Sequence, residues 1–545
     1  MPMTPAPFPA LVAPKQSFET LAAWATANLS QAIAIESQSR DESPTIPSTP
    51  GQREVSAWLR AVFTDLDPDV ECTEDACANL LVHLPRNTSD MAPKLALMVH
   101  LDTAEGTEAV PRLEVTRAWD GTEVRYPSNA RLHVSAERYP ATREFVGDDV
   151  LHGPGRAPVG FDDKVGLAEV VTLAQVLATN PDIPHGDVFL VFRPDEEIGR
   201  MAAVEGLADS LSALGVNYGY TIDGLAPFEI ETENFNASRA RITFRRHTAT
   251  VPGVALRADV RIHGVKTHGA TAKDEGHLNA LTVLARAWPA TAPSETSGLR
   301  LVAAASDPNA EVHATASLVG YGPTAEHAGA QLTAGLEALA AVLAPHAWRG
   351  AALELVGEQT PVDTRQDLDV TPELVVRHVQ RFLMSEGERP KLPEDSGGYQ
   401  GYSNPHFVRQ SDEETTLDYR IRDFSEPALH AREAEIRRLA KHDPERPAVE
   451  VRQQYVNMGP ALAPFPELVT WATRALEPLG VQPKHIPMRG GTGVDPFLTR
   501  GIPVANLGTG YFAPESEKEL TSRQSLARHV LWLTYLVQVV AHRRD

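Results

Sequence analysis

The first part of the chain alternates short apolar runs with longer amphipathic segments. Uninterrupted apolar residues stand at positions 95–99 (LALMV) and 188–192 (VFLVF), as is typical of strands buried on both faces of a parallel sheet. Between these runs, residues 166–178 (GLAEVVTLAQVLA) have the apolar spacing of a helix. A helix over residues 56–66 and a strand over residues 80–84 precede them. We therefore predict an α/β core.

The pattern changes after Asp223 and changes back near the C-terminus. Alternating strands such as residues 258–264 and helices such as residues 277–288 indicate a separate α+β domain. The α/β pattern returns with RGGTG, IPVANLGTG and a closing helix over residues 523–542. We predict a catalytic domain formed by residues 1–234 and 456–545, with a second domain of residues 235–455 inserted into it.

The inserted domain contains a weak internal repeat. Residues 311–383 and residues 415–476 each read strand, helix, strand, helix, and both copies place PELV at the start of the last helix. We predict two units, one over about residues 235–365 and one over about residues 366–455. The alternative is that any two strand-helix-strand segments look alike at this level.

Metal-binding residue types follow the predicted buried strands. His100 and Asp102 come directly after one strand, Glu196 and Glu197 follow the next, and the other carboxylates are Asp162, before a helix, and Asp223, after YTI. Ligands of open α/β sheets gather at the carboxyl ends of the strands, and carboxylates this dense repel one another unless cations neutralise them. Taken alone, each of these short segments is typical of a helix cap, a salt bridge or a solvated turn. Together they predict a metal site.

The ligand types indicate the class of metal. Imidazole with carboxylates suits zinc, cobalt or manganese, and one or two ions fit the number of side chains. Because Glu196 and Glu197 are neighbours, they point in different directions. One of them can therefore bind metal while the other takes a proton from the attacking water.

The amino-acid composition limits the classes of ligand and the cellular location that we expect for this protein. The 545 residues are 42% hydrophobic, which is enough for more than one core, and the formal net charge is -22. This charge argues against nucleic acid and anionic membranes, and no stretch reads as a membrane span. The N-terminal segment MPMTPAPFPALVAPK does not resemble a secretory signal peptide, so we expect a cytoplasmic protein. Cys72 and Cys77 read as structural or incidental thiols.

Several motifs resemble one known family. The chain is similar to the peptidase T branch of the di-zinc aminopeptidase, carboxypeptidase G and aminoacylase family. This resemblance implies a phosphorylase/hydrolase-like zinc-peptidase catalytic domain and an inserted ferredoxin-like lid, here apparently duplicated. The motifs are TIPSTPGQ (45–52), HLDT (100–103), GFDDKVGLAE (160–169), IPHGD (183–187), PDEEIG (194–199), YTIDG (220–224), ENFNAS (233–238), HGATAKDEGHLNAL (268–281), IRDF (421–424), YVNM (455–458) and RGGTG (489–493).

The resemblance also implies a role for each matched residue. One zinc would be held by His100, Asp162 and Asp223, with Asp162 bridging to a second zinc on Glu197. Asp102 would orient His100, and Glu196 would be the general base. The residues implied in substrate binding are His268, Arg422, Asn457 and Arg489.

Two positions depart from the family pattern. Lys518 stands where the family has the last zinc-binding histidine, and Gly493 stands where RGGTD has its aspartate. Three outcomes are open: a single-zinc enzyme, a second metal held by Glu515 or Glu517, or a decayed hydrolytic site. A fourth hypothesis places the Lys518 ammonium between Glu197 and Asp162, where it would replace part of the missing charge.

These features lead to a functional prediction. We expect removal of N-terminal residues from di- or tripeptides; the alternatives are a catalytically impaired peptide-binding protein and an amidohydrolase of acyl-amino acids. In dimers of the family, the resemblance implies that the lid histidine comes from the partner and the arginine from the chain itself. The first lid unit keeps His268 but has Val319 where the second has Arg422. We therefore expect a monomer whose first lid unit imitates a partner subunit.

Overall fold

The computed structural model describes residues 10–88, 92–264, 279–289, 293–306, 313–386 and 399–542. The helices are α1 Phe18–Ala32, α2 Gly51–Leu66, α3 Phe161–Thr179, α4 Glu205–Ala213, α5 Ala280–Ala287, α6 Ala325–Leu343, α7 Thr371–Glu386, α8 Glu426–His442, α9 Gly459–Leu462, α10 Glu467–Leu476, α11 Asp495–Leu498 and α12 Arg523–Ala541. Short 3-10 helices lie at Pro140–Phe145, Met201–Ala203, Ala344–Arg349 and Glu477–Leu479.

The strands are β1 Glu71–Glu74, β2 Leu80–Leu84, β3 Leu95–His100, β4 Glu114–Thr116, β5 Val124–Arg125, β6 His133–Val134, β7 Val150–His152, β8 Val188–Arg193, β9 Tyr218–Gly224, β10 Ile230–Glu231, β11 Asn236–Arg245, β12 Thr248–Ala249, β13 Val254–His263, β14 Gly298–Ser306, β15 Ala314–Gly322, β16 Ala352–Leu355, β17 Thr360–Val362, β18 Leu368–Asp369, β19 Tyr402–Gln410, β20 Glu414–Asp423, β21 Ala448–Tyr455, β22 Val504–Gly508, β23 Tyr511–Phe512 and β24 Leu520–Ser522. The chain divides into two compact units. The first comprises residues 1–130, 134–234 and 457–545, and the second comprises residues 131–133 and 235–456.

The first unit is built on a seven-stranded mixed sheet. Its strand order is β1-β2-β8-β3-β9-β22-β10. The four central strands β8, β3, β9 and β22 run parallel, whereas β1, β2 and β10 are antiparallel to their neighbours. Every residue of β3, β8 and β9 is buried; helix α3 packs on β3 and β9, and helices α1 and α12 pack against α3 and against each other. The carboxyl ends of the parallel strands therefore share one edge of the sheet.

Local sequence explains where the helices of this unit begin. The Ser17 hydroxyl accepts a hydrogen bond from the Thr20 amide and caps α1, and the Ser522 hydroxyl caps α12 in the same way. Helix α3 begins five residues before the predicted start, directly after Gly160, whose φ of +82° suits glycine. The residues between Gly160 and the predicted start carry the kink at Asp162 and Asp163, which the apolar spacing did not reveal.

The second unit contains two antiparallel sheets of similar topology. In one sheet the strand order is β14-β15-β13-β16, and in the other it is β19-β20-β11-β21. Counted along the chain within each sheet, both orders read second, third, first, fourth. Helices α5 and α6 belong to the first sheet, helices α7 and α8 belong to the second, and each set follows a βαββαβ sequence.

The strand Asn236–Arg245 differs from its predicted placement. The sequence assigned it to the unit over residues 235–365, but it pairs with β20 and β21 along its length. The strands of the first sheet are thus inserted between β11 and α7. The edge strands β14 and β19 also contact each other, since the Val408 amide donates to the Ser306 hydroxyl over 2.9 Å.

One helix differs from the expectation about membranes. By length and composition, the segment Ala325–Trp348 could cross a bilayer, contrary to the expectation that no stretch is apolar enough. Core helices of globular proteins can have the same length and composition, but only 22% of the apolar window of this segment is buried. Here Leu332 and Leu339 pack into the core of the second unit. The segment contains α6, which packs on β15.

Candidate metal centre

Three predicted ligands lie together at the carboxyl edge of the parallel strands. His100 ends β3, Asp223 lies near the end of β9, and Asp162 lies at the start of α3. The Nε2 atom of His100 is 3.0 Å from Asp162 Oδ1 and 3.5 Å from Asp223 Oδ1. One ligand atom from each residue lies within 4.8 Å of the other two, so a single ion could contact all three.

The segment that carries Asp162 is held from several sides. The Glu519 carboxylate accepts hydrogen bonds from the amides of Val159, Gly160 and Phe161. The hydroxyl of Tyr511 donates to Asp162 Oδ2 over 2.8 Å. The Asp162 carboxylate is therefore oriented before any ion binds.

The turn carrying Glu196 and Glu197 is attached to Asp102. The Glu196 amide donates to Asp102 Oδ1 over 3.0 Å, and the Glu197 amide donates to Asp102 Oδ2 over 3.1 Å. The Nδ1 atom of His100 lies 2.8 Å from the main-chain oxygen of Asp102 and 3.5 Å from its carboxylate. Asp102 thus contacts His100 chiefly through its backbone, while its carboxylate holds the glutamate turn.

Asp195 connects the same turn to the TIPSTPGQ segment. Its buried carboxylate accepts hydrogen bonds from the Ser48 amide and from Gln52 Nε2, the latter over 2.7 Å. The Asp195 amide in turn donates to Gln52 Oε1 over 3.0 Å. Asp195 has a φ of +56°, a conformation that non-glycine residues seldom adopt, and these contacts hold it there.

Electrostatics at this edge favour a cation. Burial raises the pKa of Glu196 to about 8. Burial also raises the pKa of Glu197 well above its usual value, and the carboxylates of Asp162 and Glu515 add repulsion. Burial would lower the pKa of His100, but hydrogen bonds to the surrounding carboxylates raise it well above the usual value. Charges of one sign kept from water are stabilised by a bound metal ion.

Lys518 was predicted to stand in place of a ligand of a second metal ion. Lys518 is fully buried, and its Nζ lies 3.2 Å from the Ser516 hydroxyl and 5.6 Å from the centre of the Tyr139 ring. Glu197 and Glu515 lie near enough for their charges to interact.

The predicted substrate-binding residues are distributed over both units. In the first unit, Asn457 Oδ1 accepts hydrogen bonds from the amides of Asn234 and Gly459, where the chain leaves and re-enters the unit. Arg489 in the same unit is half-buried. In the second unit, the Arg422 guanidinium donates to the backbone oxygen of Ser238 and lies 5.3 Å from the Tyr455 ring. His268 lies outside the described residues.

Sequence reasoning missed some residues at this site. Arg193, the last residue of β8, is opposite His100 on β3 in the sheet register. The sequence pattern that identified His100, a polar residue directly after an apolar run, could also have identified Arg193. Tyr511 and Glu519 lie more than three hundred residues from Asp162 in the chain, and no local pattern indicated them.

The comparisons with known proteins agree with this fold. The model of Peptidase family M20/M25/M40 matches residues 134–538, and the chain belongs to this family of hydrolases. It is therefore a peptidase with a mixed α/β fold. Among curated relatives, it is similar to peptidase T of Geobacillus sp. (strain WCH70), with 26% identity over 484 residues, 88% of this chain and 89% of the relative. The resemblance seen in the sequence is confirmed.

Solved structures support the same fold. A tripeptidase from Staphylococcus aureus is 16% identical, with a TM-score of 0.50, and the match covers 96% of this chain and 99% of that one. The aminoacylhistidine dipeptidase from Vibrio alginolyticus is 14% identical, with a TM-score of 0.51, over 96% of this chain and 98% of that one. At these identities the likeness concerns the fold alone.

Proposed function

We propose that this peptidase is metal-dependent and removes N-terminal residues from di- or tripeptides. The observation that carries the proposal is the convergence of His100, Asp162 and Asp223 at the carboxyl edge of the sheet. Imidazole and carboxylates fit zinc, and they also fit cobalt or manganese. Peptide substrates are supported by relatives named peptidase T.

The tautomer of His100 fits a metal ligand. Its Nδ1 faces the Asp102 main-chain oxygen at 2.8 Å, and a carbonyl oxygen can only accept a hydrogen bond. Nδ1 therefore carries a proton, and Nε2, which faces Asp162 and Asp223, is the nitrogen that would lose its proton and bind the metal ion. When bound there, a metal ion would polarise the peptide carbonyl and make the attacking water more acidic.

We propose Glu196 as the general base. Its amide and that of Glu197 are bound by the two oxygens of Asp102, so the backbone at both residues is fixed. The Glu196 side chain remains 12% exposed and can reach a water at the site. Its role is to take the proton from that water and deliver it to the leaving amine.

We propose one fully liganded metal ion and an incomplete second position. Asp162 and Glu197 would contribute to the second position, where Lys518 replaces a family histidine. Glu515 is an alternative ligand, supported by its electrostatic interaction with Glu197. An alternative hypothesis is that the Lys518 ammonium lies between Glu197 and Asp162, where it would replace part of the missing charge.

We also propose that the second unit is a duplicated ferredoxin-like lid and that the protein is a monomer. Both sheets follow the same βαββαβ order, and they meet through β14 and β19, the second strand of each. Contact through equivalent edges is how two copies related by a two-fold axis would meet. Light scattering tests this proposal, and an obligate dimer would contradict it.

The remaining assignments follow the family pattern. We propose that Arg422 and Arg489 bind the peptide carboxylate and that His268 contacts the substrate. Asn457 would hold the peptide with them, and its side chain is fixed by the two backbone amides that donate to its Oδ1. We further propose a cytoplasmic location, which the unpaired thiols of Cys72 and Cys77 support.

One assay tests the enzyme assignment. Metal-reconstituted protein and its Glu196→Gln variant are compared on tripeptides, dipeptides and acyl-amino acids, while bound metal is counted. We expect tripeptide or dipeptide hydrolysis that disappears in Glu196→Gln at unchanged metal content. Glu205→Gln is the control, since Glu205 is a surface partner of Arg500.

The other outcomes separate the alternatives. A metal-loaded wild-type protein that binds peptides but cleaves none would favour the catalytically impaired homologue, for which the Lys518 replacement is the reason. Selective hydrolysis of acyl-amino acids would favour the amidohydrolase. Full activity in Glu196→Gln would remove Glu196 as the base.

A further inference from the structure

Arg193 brings a buried positive charge into the candidate site. It ends β8 opposite His100 in the parallel register with β3, and its side chain is 2% exposed. The two strands end at the same edge, so both side chains enter the site from there. An arginine keeps its charge at physiological pH, and this one is therefore a permanent cation.

The Arg193 guanidinium contacts three functional parts of the site. Its Nη1 donates to the Gly493 main-chain oxygen over 3.1 Å, and its Nη2 donates to that of Thr492. Nη2 is also 3.7 Å from Glu196 Oε1 and 4.0 Å from Asp223 Oδ2. One side chain therefore lies between the proposed base, a proposed metal ligand and the RGGTG segment.

Gly493 leaves the space that this guanidinium needs. A Cβ atom at residue 493 would lie 2.6 Å from Arg193 Nη1 and 3.3 Å from Glu196 Oε1. Gly493 also has a φ of +57°, which side chains rarely adopt. The aspartate of the family's RGGTD would be strained there and would displace Arg193. The Arg193 guanidinium can therefore occupy its place only because residue 493 is glycine rather than aspartate.

We propose that Arg193 is a positioning residue for peptide hydrolysis and that Gly493 is its required partner. Arg193 fixes the Glu196 carboxylate by charge and the Thr492–Gly493 backbone by hydrogen bonds. Opposite charges in a water-poor site attract strongly without direct hydrogen bonding. The inference rests on the proposed function, because it assigns Glu196 as the base.

The principal test compares Arg193→Ala and Arg193→Lys with the wild type in the metal-reconstituted full chain. We expect Arg193→Ala to lower kcat on the order of 100-fold, with a smaller change in KM, because the guanidinium lies 3.7 Å from the carboxylate of the proposed base Glu196. Arg193→Lys should recover part of the loss. Millimolar guanidinium should raise the kcat of Arg193→Ala and leave the wild type unchanged. Arg500→Ala, a surface arginine paired with Glu205 and Asp209, is the control.

Metal content separates this role from a simple structural one. Arg193→Ala should retain the wild-type amount of bound metal, measured by elemental analysis. Metal lost in parallel with kcat would overturn the inference, since Arg193 would then act on Asp223. Failure of both lysine and added guanidinium to restore any kcat would also overturn it.

A second comparison tests the pairing with Gly493. We expect Gly493→Ala to lower kcat by a larger factor in the wild type than in Arg193→Ala, where the guanidinium is absent and the strain of the positive φ remains. Independent losses that multiply would overturn the pairing. If Arg193→Ala does not fold, Gly493→Ala in the Arg193→Lys background replaces it, with the same expectation of a smaller loss. A wild type without peptide hydrolysis refutes the proposed function, whereas an active wild type with unimpaired Arg193 variants refutes this inference alone.

Discussion

Asp195 provides a direct test of how the glutamate turn is held. Its carboxylate Oδ1 accepts from Gln52 Nε2 over 2.7 Å and from the Ser48 hydroxyl. The Ser48 amide contacts both oxygens, at 3.0 Å and 2.9 Å, and Arg200 approaches Oδ2 at 3.5 Å. The Asp195→Asn variant keeps the size of the side chain and tolerates the positive φ, so it changes only charge and hydrogen bonding.

The geometry sets the expected magnitude. The least costly orientation of the new amide keeps oxygen at the Oδ1 position, facing Gln52 and the Ser48 hydroxyl. The NH2 group then takes the place of Oδ2, which accepts from the Ser48 amide and Arg200. The variant therefore loses one charged hydrogen-bond acceptor. A hydrogen bond to a charged group contributes about 1.5 to 3 kcal/mol, so we expect Asp195→Asn to lower the free energy of unfolding by that amount.

The assay is urea unfolding followed by circular dichroism, with peptide hydrolysis measured on the same samples. Asp187→Asn is the matched control, because Asp187 accepts from His83 at the opposite end of the strand Val188–Arg193. We expect Asp195→Asn to lower kcat as well as stability and Asp187→Asn to change stability alone. Equal effects of the two variants on kcat would refute the view that Asp195 positions Glu196.

Three further changes have defined outcomes. Lys518→His should raise the number of bound metal ions per chain, as measured by elemental analysis, because it introduces the imidazole ligand that the resemblance implies at this position. Burial lowers the pKa of His529 to about 3, so the unfolded chain binds a proton below about pH 6.5 that the native chain excludes. The free energy of unfolding should therefore fall by up to about 1.4 kcal/mol per pH unit as pH decreases from about 6.5 towards 3, and His529→Gln should show a shallower slope in urea titrations. A Cβ atom at Gly166 would lie 2.0 Å from the Ile222 main-chain oxygen, so Gly166→Ala should lower the thermal midpoint by more than a surface Gly→Ala change such as Gly206→Ala.

The spacing of apolar residues predicted most of the secondary structure. The apolar run at residues 188–192 corresponds to the strand Val188–Arg193, and the closing helix predicted over residues 523–542 is Arg523–Ala541. These features depend on neighbours in sequence, since a buried strand or helix must be apolar along its own length. The start of α3 was predicted too late, because the kink at Asp162 interrupts the helical pattern.

Pairing between distant strands could not be read in the same way. The strand Asn236–Arg245 pairs with Glu414–Asp423 across a long insertion, although the repeat in the sequence suggested units that follow each other. The residues of either strand do not by themselves indicate which other strand it pairs with. Sheet order is set by packing of the whole unit, which a linear pattern does not contain.

The sequence by itself determined the residue types and the strand ends from which a metal site could be built. His100 and Asp223 follow buried runs, and the parallel sheet necessarily brings such positions to one edge. Only the tertiary structure decided how they are supported: Asp195 reaches Ser48, and Arg193 fills the space left by Gly493. Those contacts join segments far apart in the chain, and their distances follow from register and close packing rather than from local pattern.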